Sequence, residues 1–192
     1  TFEGPNFLTV KGEPGSSLNN GSGPDANPIP QQNGTFQAPF TCVIPRVALG
    51  DGDTTVPTAV ALYGHGLLGS RDEVRGAAPD FAAENAITFC ATDWKGMSDE
   101  DVPNAAAILG DLSGFRTLAD RLQQGMLNFL VLGRLLKADD GLVSHEAFQD
   151  SAGNPLIATD GELLFVGNSQ GGIIGGALSA VAQDWTRVVL GV

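Results

Sequence analysis

The stretch LLFVGNSQGGIIGGAL, Leu163–Leu178, sets a short apolar run against a glycine, a serine two residues on, and four further glycines. Leu163–Val166 has the length and the β-branched and aromatic content of a buried strand. From Ser169 to Trp185 the text reads as a helix. Between them stands Gly167-Asn168-Ser169-Gln170-Gly171, a G-x-S-x-G pattern in the strand-then-helix setting that gives it meaning. A very sharp turn of this kind lifts the serine hydroxyl above the sheet edge. The backbone is strained there, and Cβ atoms at the flanking positions collide with neighbouring strands. Glycine at Gly167 and Gly171 removes the collision, and Gly172, Gly175, Gly176 and Ala177 let the helix press against the sheet. The helix start brings positive potential and free N–H groups beside the hydroxyl. Ser169 is therefore a candidate nucleophile. The plainer alternative is a glycine-rich helix start in which Ser169 only caps.

Working outward, other compact apolar runs alternate with helical patterns. TAVALYGHG begins at Thr58, AITFCATDW at Ala86, ELLFVG at Glu162 and RVVLGV at Arg187. SRDEVRGAAPDFAAENA is helix-like, with Ser70 and Glu73 at capping-box spacing. SGFRTLADRLQQGMLNFLVLGRLLKADDG reads as a long amphipathic helix that puts Phe115, Leu118, Leu122, Met126, Phe129, Leu130 and Gly133 on one face. Short, fully apolar strands separated by helices indicate an α/β fold, a mostly parallel sheet with helices on both faces. FTCVIPRVAL is interrupted by proline, which suits an edge or irregular strand. GDGDTT is a turn, and SAGNPL in the connector after the long helix is a candidate small hairpin. Residues 1–35 are rich in Gly, Pro, Asn and Ser and read as a loop-rich N-terminal segment with one short strand. The folded domain then runs over 36–192.

The formal charge of −12 and pI near 4.3 argue against a nucleic-acid or anionic-membrane binder, which needs Lys and Arg. No run of about eighteen apolar residues spells a membrane helix, and no signal peptide is visible. TFEGPNFLTV at the start reads as a mature or trimmed end.

A second stretch bears on Ser169. LYGHGLLGS, Leu62–Ser70, follows the first apolar parallel strand, and a glycine turn there can offer backbone N–H groups to an oxyanion. In these two stretches, taken in order, the chain resembles the α/β-hydrolase superfamily, in particular its secreted lipase- and esterase-like members. The resemblance covers roughly Pro57–Val192. It implies that Leu67 and Gln170 supply the oxyanion donors and that His65 and Gly66 shape the oxyanion loop. By the same resemblance Gly167 and Gly171 form the elbow, the substrate is an ester, and neither metal nor organic cofactor is required. GNSQGG is similar to the serine elbow of cutinase-type esterases, although Asn168 stands where an aromatic residue or His is usual.

A serine hydroxyl needs a base, and the base an orienting carboxylate. In the family these follow the serine along the chain. After Ser169 the sequence holds one acid, Asp184, which reads as a surface residue, and no histidine. The chain thus resembles the N-terminal portion of a hydrolase. Its expected partner is the C-terminal part of the same domain, on the same precursor or a second chain, covering an otherwise exposed apolar sheet edge. The alternatives are a non-catalytic module, a serine peptidase of the same fold, or an unconventional site using His65 or His145. His145, in a polar connector, reads equally well as a solvated residue.

The family's strand order implies that FTCVIPRV lies beside AITFCATDW. Cys42 and Cys90 would then be neighbours and able to form a bridge, which points to an extracellular or periplasmic setting. Two separate buried thiols remain the alternative. TDWKGMSDED follows the second parallel strand and so lies at the rim where such folds place ligands. Trp94 and Met97 are candidates for an acyl pocket. Asp93, Asp99, Glu100 and Asp101 match no calcium loop and read as a solvated acidic loop.

Overall fold

The computed structural model describes residues 1–21, 28–51 and 54–192. Positions 22–27 and 52–53, with part of the loop-rich stretch and of the GDGDTT turn, lie outside the described residues. The apolar runs form the sheet. β3 (Phe40–Val43), β4 (Ala59–Gly64), β5 (Ile87–Thr92), β6 (Leu163–Asn168) and β7 (Arg187–Gly191) stand in the order β3-β5-β4-β6-β7. All pairings are parallel except β3 with β5. β4 is central, and five of its six residues are buried, as expected of a strand covered on both faces.

Side chains alternate across the sheet. Val60, Leu62, Leu163 and Phe165 join the larger core under helices α4 (Arg116–Lys137) and α5 (Gln170–Val181). Ala61, Tyr63, Phe89 and Ala91 pack instead with Val74, Ala78 and Ala82 of α1 (Val74–Ala77), α2 (Pro79–Asn85) and their joint. Helices therefore lie on both faces. α1 and α2 reach only part of theirs. Beside them an open cleft of about 550 Å³ is lined by Phe81, Phe89, Leu164, Val166, Val188 and Val189. β7 forms the edge of the sheet, and Val188, Val189 and Leu190 are exposed along it.

Three expectations need correction. The SRDEVRGAAPDFAAENA helix is broken, because Pro79 opens a new helix at its first position. Ser70 makes no capping hydrogen bond, and the Glu73 side chain is used elsewhere. Phe115 is 57% exposed, since it sits in the 3-10 turn before α4 rather than on its buried face. The capping box lies instead at Ser98 and Asp101, ahead of α3 (Val102–Gly110).

The N-terminal segment is tied to the body. β1 (Phe2–Pro5) pairs antiparallel with β2 (Thr35–Ala38). Gln124 of α4 accepts from Phe7 N–H and donates to Pro5 C=O, and Asp120 accepts from Leu18 N–H. Arg121, fully buried, pairs with Asp101 at 2.8 Å and Glu100 at 2.6 Å and donates to Gly12 C=O. A buried ion network of this kind fixes register more than it adds stability. It also corrects the expectation of a solvated acidic loop: Asp101 is fully buried, and with Glu100 it serves Arg121.

Cys42 and Cys90 stand directly opposite on β3 and β5, Cα atoms 4.1 Å apart, and form a disulfide. The bridge pins the antiparallel edge strand to the parallel sheet. Replacing both cysteines (Cys42→Ala with Cys90→Ala) is expected to reduce unfolding free energy by about 2–4 kcal/mol, as closing the intervening loop restricts the unfolded chain. Urea unfolding of the two proteins side by side measures this, and equal midpoints would refute it.

Candidate functional site

β4 and β6 run in register to their ends, with Gly64 opposite Gly167. The chain leaving β4 as His65-Gly66 therefore comes beside Asn168-Ser169. A Cβ built on Gly66 would lie 3.8 Å from Ser169 Cβ.

Ser169 is the single residue between the end of β6 and the start of α5. Its φ of 52° and ψ of −120° are unusual for a residue bearing a Cβ and cost on the order of 1–3 kcal/mol. Leu68, in the facing turn, also has positive φ. The flanking glycines are required sterically. A Cβ on Gly167 would fall 2.2 Å from Gly171 C=O oxygen, and one on Gly171 would fall 2.1 Å from that of Gly64. Gly172 and Gly175 are equally constrained, by Gly191 and Phe165. Gly176 is not, since its Cβ would meet Leu190 at 3.6 Å, ordinary contact. The close approach expected there is made by its neighbours instead.

The backbone N–H groups of Leu67 and Gln170, the expected oxyanion donors, make no hydrogen bond among the described residues. The orientation of the first follows from its peptide. Gly66 C=O accepts from Gly69 N–H at 3.1 Å and lies 2.8 Å from His65 Nδ1. A trans peptide points its C=O and N–H in opposite directions, so the Leu67 N–H is directed away from the His65 ring. The Leu67 side chain itself is exposed.

His65 is fully buried. Its Nε2 accepts from Trp94 N–H at 2.9 Å. A backbone N–H can only donate, so the ring proton is on Nδ1 and is donated to Gly66 C=O. Burial pushes the imidazole pKa below its ordinary value, against the opposing hydrogen bond to Gly66 and the nearby carboxylates. His65 is thus a neutral strut between the turn after β4 and the chain after β5. His145 lies exposed in the connector after α4, with Nδ1 accepting from Ala147 N–H. Among the described residues no side chain hydrogen-bonds Ser169 Oγ.

Trp94, expected at an acyl pocket, lies wholly in the core. Its ring is stacked 4.0 Å from Phe129, and Met97 packs half-buried against the same cluster. In that position Trp94 underlies the site: a Cβ on Gly64 would meet its ring at 2.9 Å. Asp93 accepts from Arg71 N–H and pairs with the Arg71 guanidinium at 2.6 Å. Asp184 pairs with Arg134 at the surface. Among the described residues no group of three or more acidic, His or Cys side chains is arranged to hold a metal.

The sequence reading missed Glu73. One carboxylate oxygen accepts from Gly66 N–H at 3.0 Å, and the other from Tyr63 Oη–H at 2.7 Å and Asn168 Nδ2 at 3.1 Å. Burial alone would raise its pKa, but these hydrogen bonds outweigh burial and hold it below the usual carboxylate range. Burial and the adjacent Glu73 push the Tyr63 phenol well above its ordinary value. The available signals were an acid seven residues after Gly66 and a tyrosine ending an otherwise apolar strand.

No protein-family model matches the chain, and no curated protein matches it.

Two consequences are measurable. Gly171→Ala is expected to destabilise the fold by several kcal/mol, whereas Gly176→Ala gains up to about 1 kcal/mol of helix propensity. Chemical denaturation of both variants should place them on opposite sides of the parent. His65, with its folded pKa lowered, contributes stability that is fully present above the unfolded value of about 6.5 and lost as pH falls through the folded value. Unfolding free energy should therefore fall as pH drops below about 6.5, and His65→Gln should flatten that slope. An unchanged slope would refute the assignment.

Proposed function

We propose that the chain belongs to a serine hydrolase acting on carboxylic esters, with Ser169 as nucleophile. The observation that carries this reading is the conformation of Ser169. A strained, Cβ-bearing residue stands alone between a parallel strand and a helix, and the strand and helix can close on it this tightly only because Gly167 and Gly171 carry no Cβ. Strain of this kind accompanies functional positions, and a capping serine has no need of it.

In the proposed reaction Ser169 Oγ attacks the ester carbonyl carbon and passes its proton to a general base. The carbonyl oxygen becomes an oxyanion held between the N–H groups of Leu67 and Gln170. Collapse expels the alcohol, which takes the proton from the base. Water then attacks the acyl-enzyme by the same route, releasing the acid and restoring Ser169. His65 does not serve as the base in this scheme, because both ring nitrogens are engaged. The histidine and its carboxylate are assigned to polypeptide outside these 192 residues, the C-terminal part of the same domain on the same precursor or a second chain. The Cys42–Cys90 bridge supports an oxidising setting, extracellular or periplasmic. Among the described residues no helix is long and apolar enough to cross a membrane.

A non-catalytic binding module on the same scaffold is the second reading, favoured by the engagement of His65. A fluorophosphonate probe separates the two. The native assembly is expected to label at Ser169 and to lose labelling in Ser169→Ala. Absence of labelling with every native chain present would favour the binding module. Matched ester and anilide substrates then distinguish an esterase from a peptidase.

A further inference from the structure

We propose that Glu73 is the positioning residue of this site: its carboxylate clamps the turn carrying Leu67 to the elbow carrying Ser169, and so sets the spacing of the oxyanion donors. The inference rests on the hydrolase reading of Ser169.

Three separate pieces of chain converge on Glu73. Tyr63 comes from the end of β4, Gly66 from the turn after it, and Asn168 from the last position of β6. Gly66 is bonded to Leu67, and Asn168 to Ser169. The two carboxylate oxygens thus hold the residues immediately before one donor and immediately before the nucleophile. All three ligands of the carboxylate are neutral donors. Among the described residues no Lys or Arg pairs with Glu73, although other acids of this region do pair, Asp72 with Arg75 and Asp93 with Arg71. A half-buried carboxylate spent on three neutral hydrogen bonds at one site is serving geometry rather than charge balance.

The division of labour with His65 is clear from the peptides each one holds. His65 Nδ1–H holds the carbonyl of the Gly66–Leu67 peptide and so aims the Leu67 N–H. Glu73 holds the N–H of the preceding peptide and so fixes where that unit stands relative to Asn168. Orientation and position of the turn are set by different residues. Glutamine is a weaker substitute for Glu73: it loses the charge and one acceptor oxygen, and can keep Gly66 N–H only if Tyr63 and Asn168 reverse their donor roles toward its amide nitrogen.

Glu73→Gln keeps the size and removes one acceptor oxygen. In the native assembly it is expected to lower ester kcat by about 10–100-fold with KM within about twofold, because a misplaced oxyanion donor is felt in the transition state. Fluorophosphonate labelling of Ser169 should slow to the same degree. Asn168→Ala, at an exposed position, should slow both readouts and be non-additive with Glu73→Gln. Tyr63 is the single tyrosine of the chain. Its ultraviolet titration, read as the difference from Tyr63→Phe, therefore reports the clamp, and the phenol should ionise at lower pH in Glu73→Gln. Wild-type rates in Glu73→Gln, or in Asn168→Ala if the first variant fails to fold, overturn the clamp and leave the hydrolase reading standing. So does a fall in KM-dependent terms alone. Absence of wild-type labelling removes both.

Discussion

The site depends on backbone packed directly against backbone. The first turn of α5 sits so close to the ends of β4, β6 and β7 that side chains at Gly167, Gly171 and Gly172 would overlap carbonyl oxygens of neighbouring segments. Glycines in a helix each cost about 1 kcal/mol relative to alanine. Here that cost is offset by the apolar face of α5, where Ile174 and Leu178 enter the core above Phe165. With the helix seated, two things follow. The β6–α5 turn has room for one residue only, and the turn after β4 is brought against that residue. Ser169 and the turn carrying Leu67 are thus placed by the same contact.

Much of this was legible because it is written in residue types with strong local meaning. Apolar runs of strand length marked β4, β5 and β6, and a period of three to four marked α4 from Leu118 to Gly133. Glycine around a lone serine marked the elbow. The less legible parts are those set by tertiary partners. Asp120, Arg121, Gln124 and Asn128 are buried on α4 although a hydrophobic pattern assigns them to solvent. They are there because an N-terminal segment with few apolar side chains docks through its backbone and needs polar partners. Glu73 stands at capping-box spacing, yet its side chain turns toward Gly66, Tyr63 and Asn168, a choice made by residues brought near only by the fold. Trp94 follows a strand at the rim, where ligands bind, but its bulk fills the core beneath Gly64. Gly176 looks like its neighbours in sequence and differs only because nothing presses on it.

The polar interior is organised by acceptors that hold backbone N–H groups. His65 takes that of Trp94, Glu73 that of Gly66, and Asp101 those of Gly96 and Ser98. Each fixes a chain segment just beyond a strand end, where the sheet's own hydrogen bonds have stopped. Loops at the rim are thereby held as firmly as the strands they leave, an advantage where placement within a fraction of an ångström matters. The opposite edge of the architecture differs. β3 is bound covalently through Cys42, while β7 shows its valines to solvent.

The dihedral angles of Ser169 carry an evolutionary consequence. A residue held at φ 52° would be more comfortable as glycine, the one type with no Cβ to strain. At this position mutation toward glycine runs downhill in folding energy, and Gly167 and Gly171, two residues away on either side, are glycines already. On the proposed reading, the hydroxyl is what holds a serine here against that gradient. The chain is therefore expected to be more stable with glycine at this position than with its candidate nucleophile.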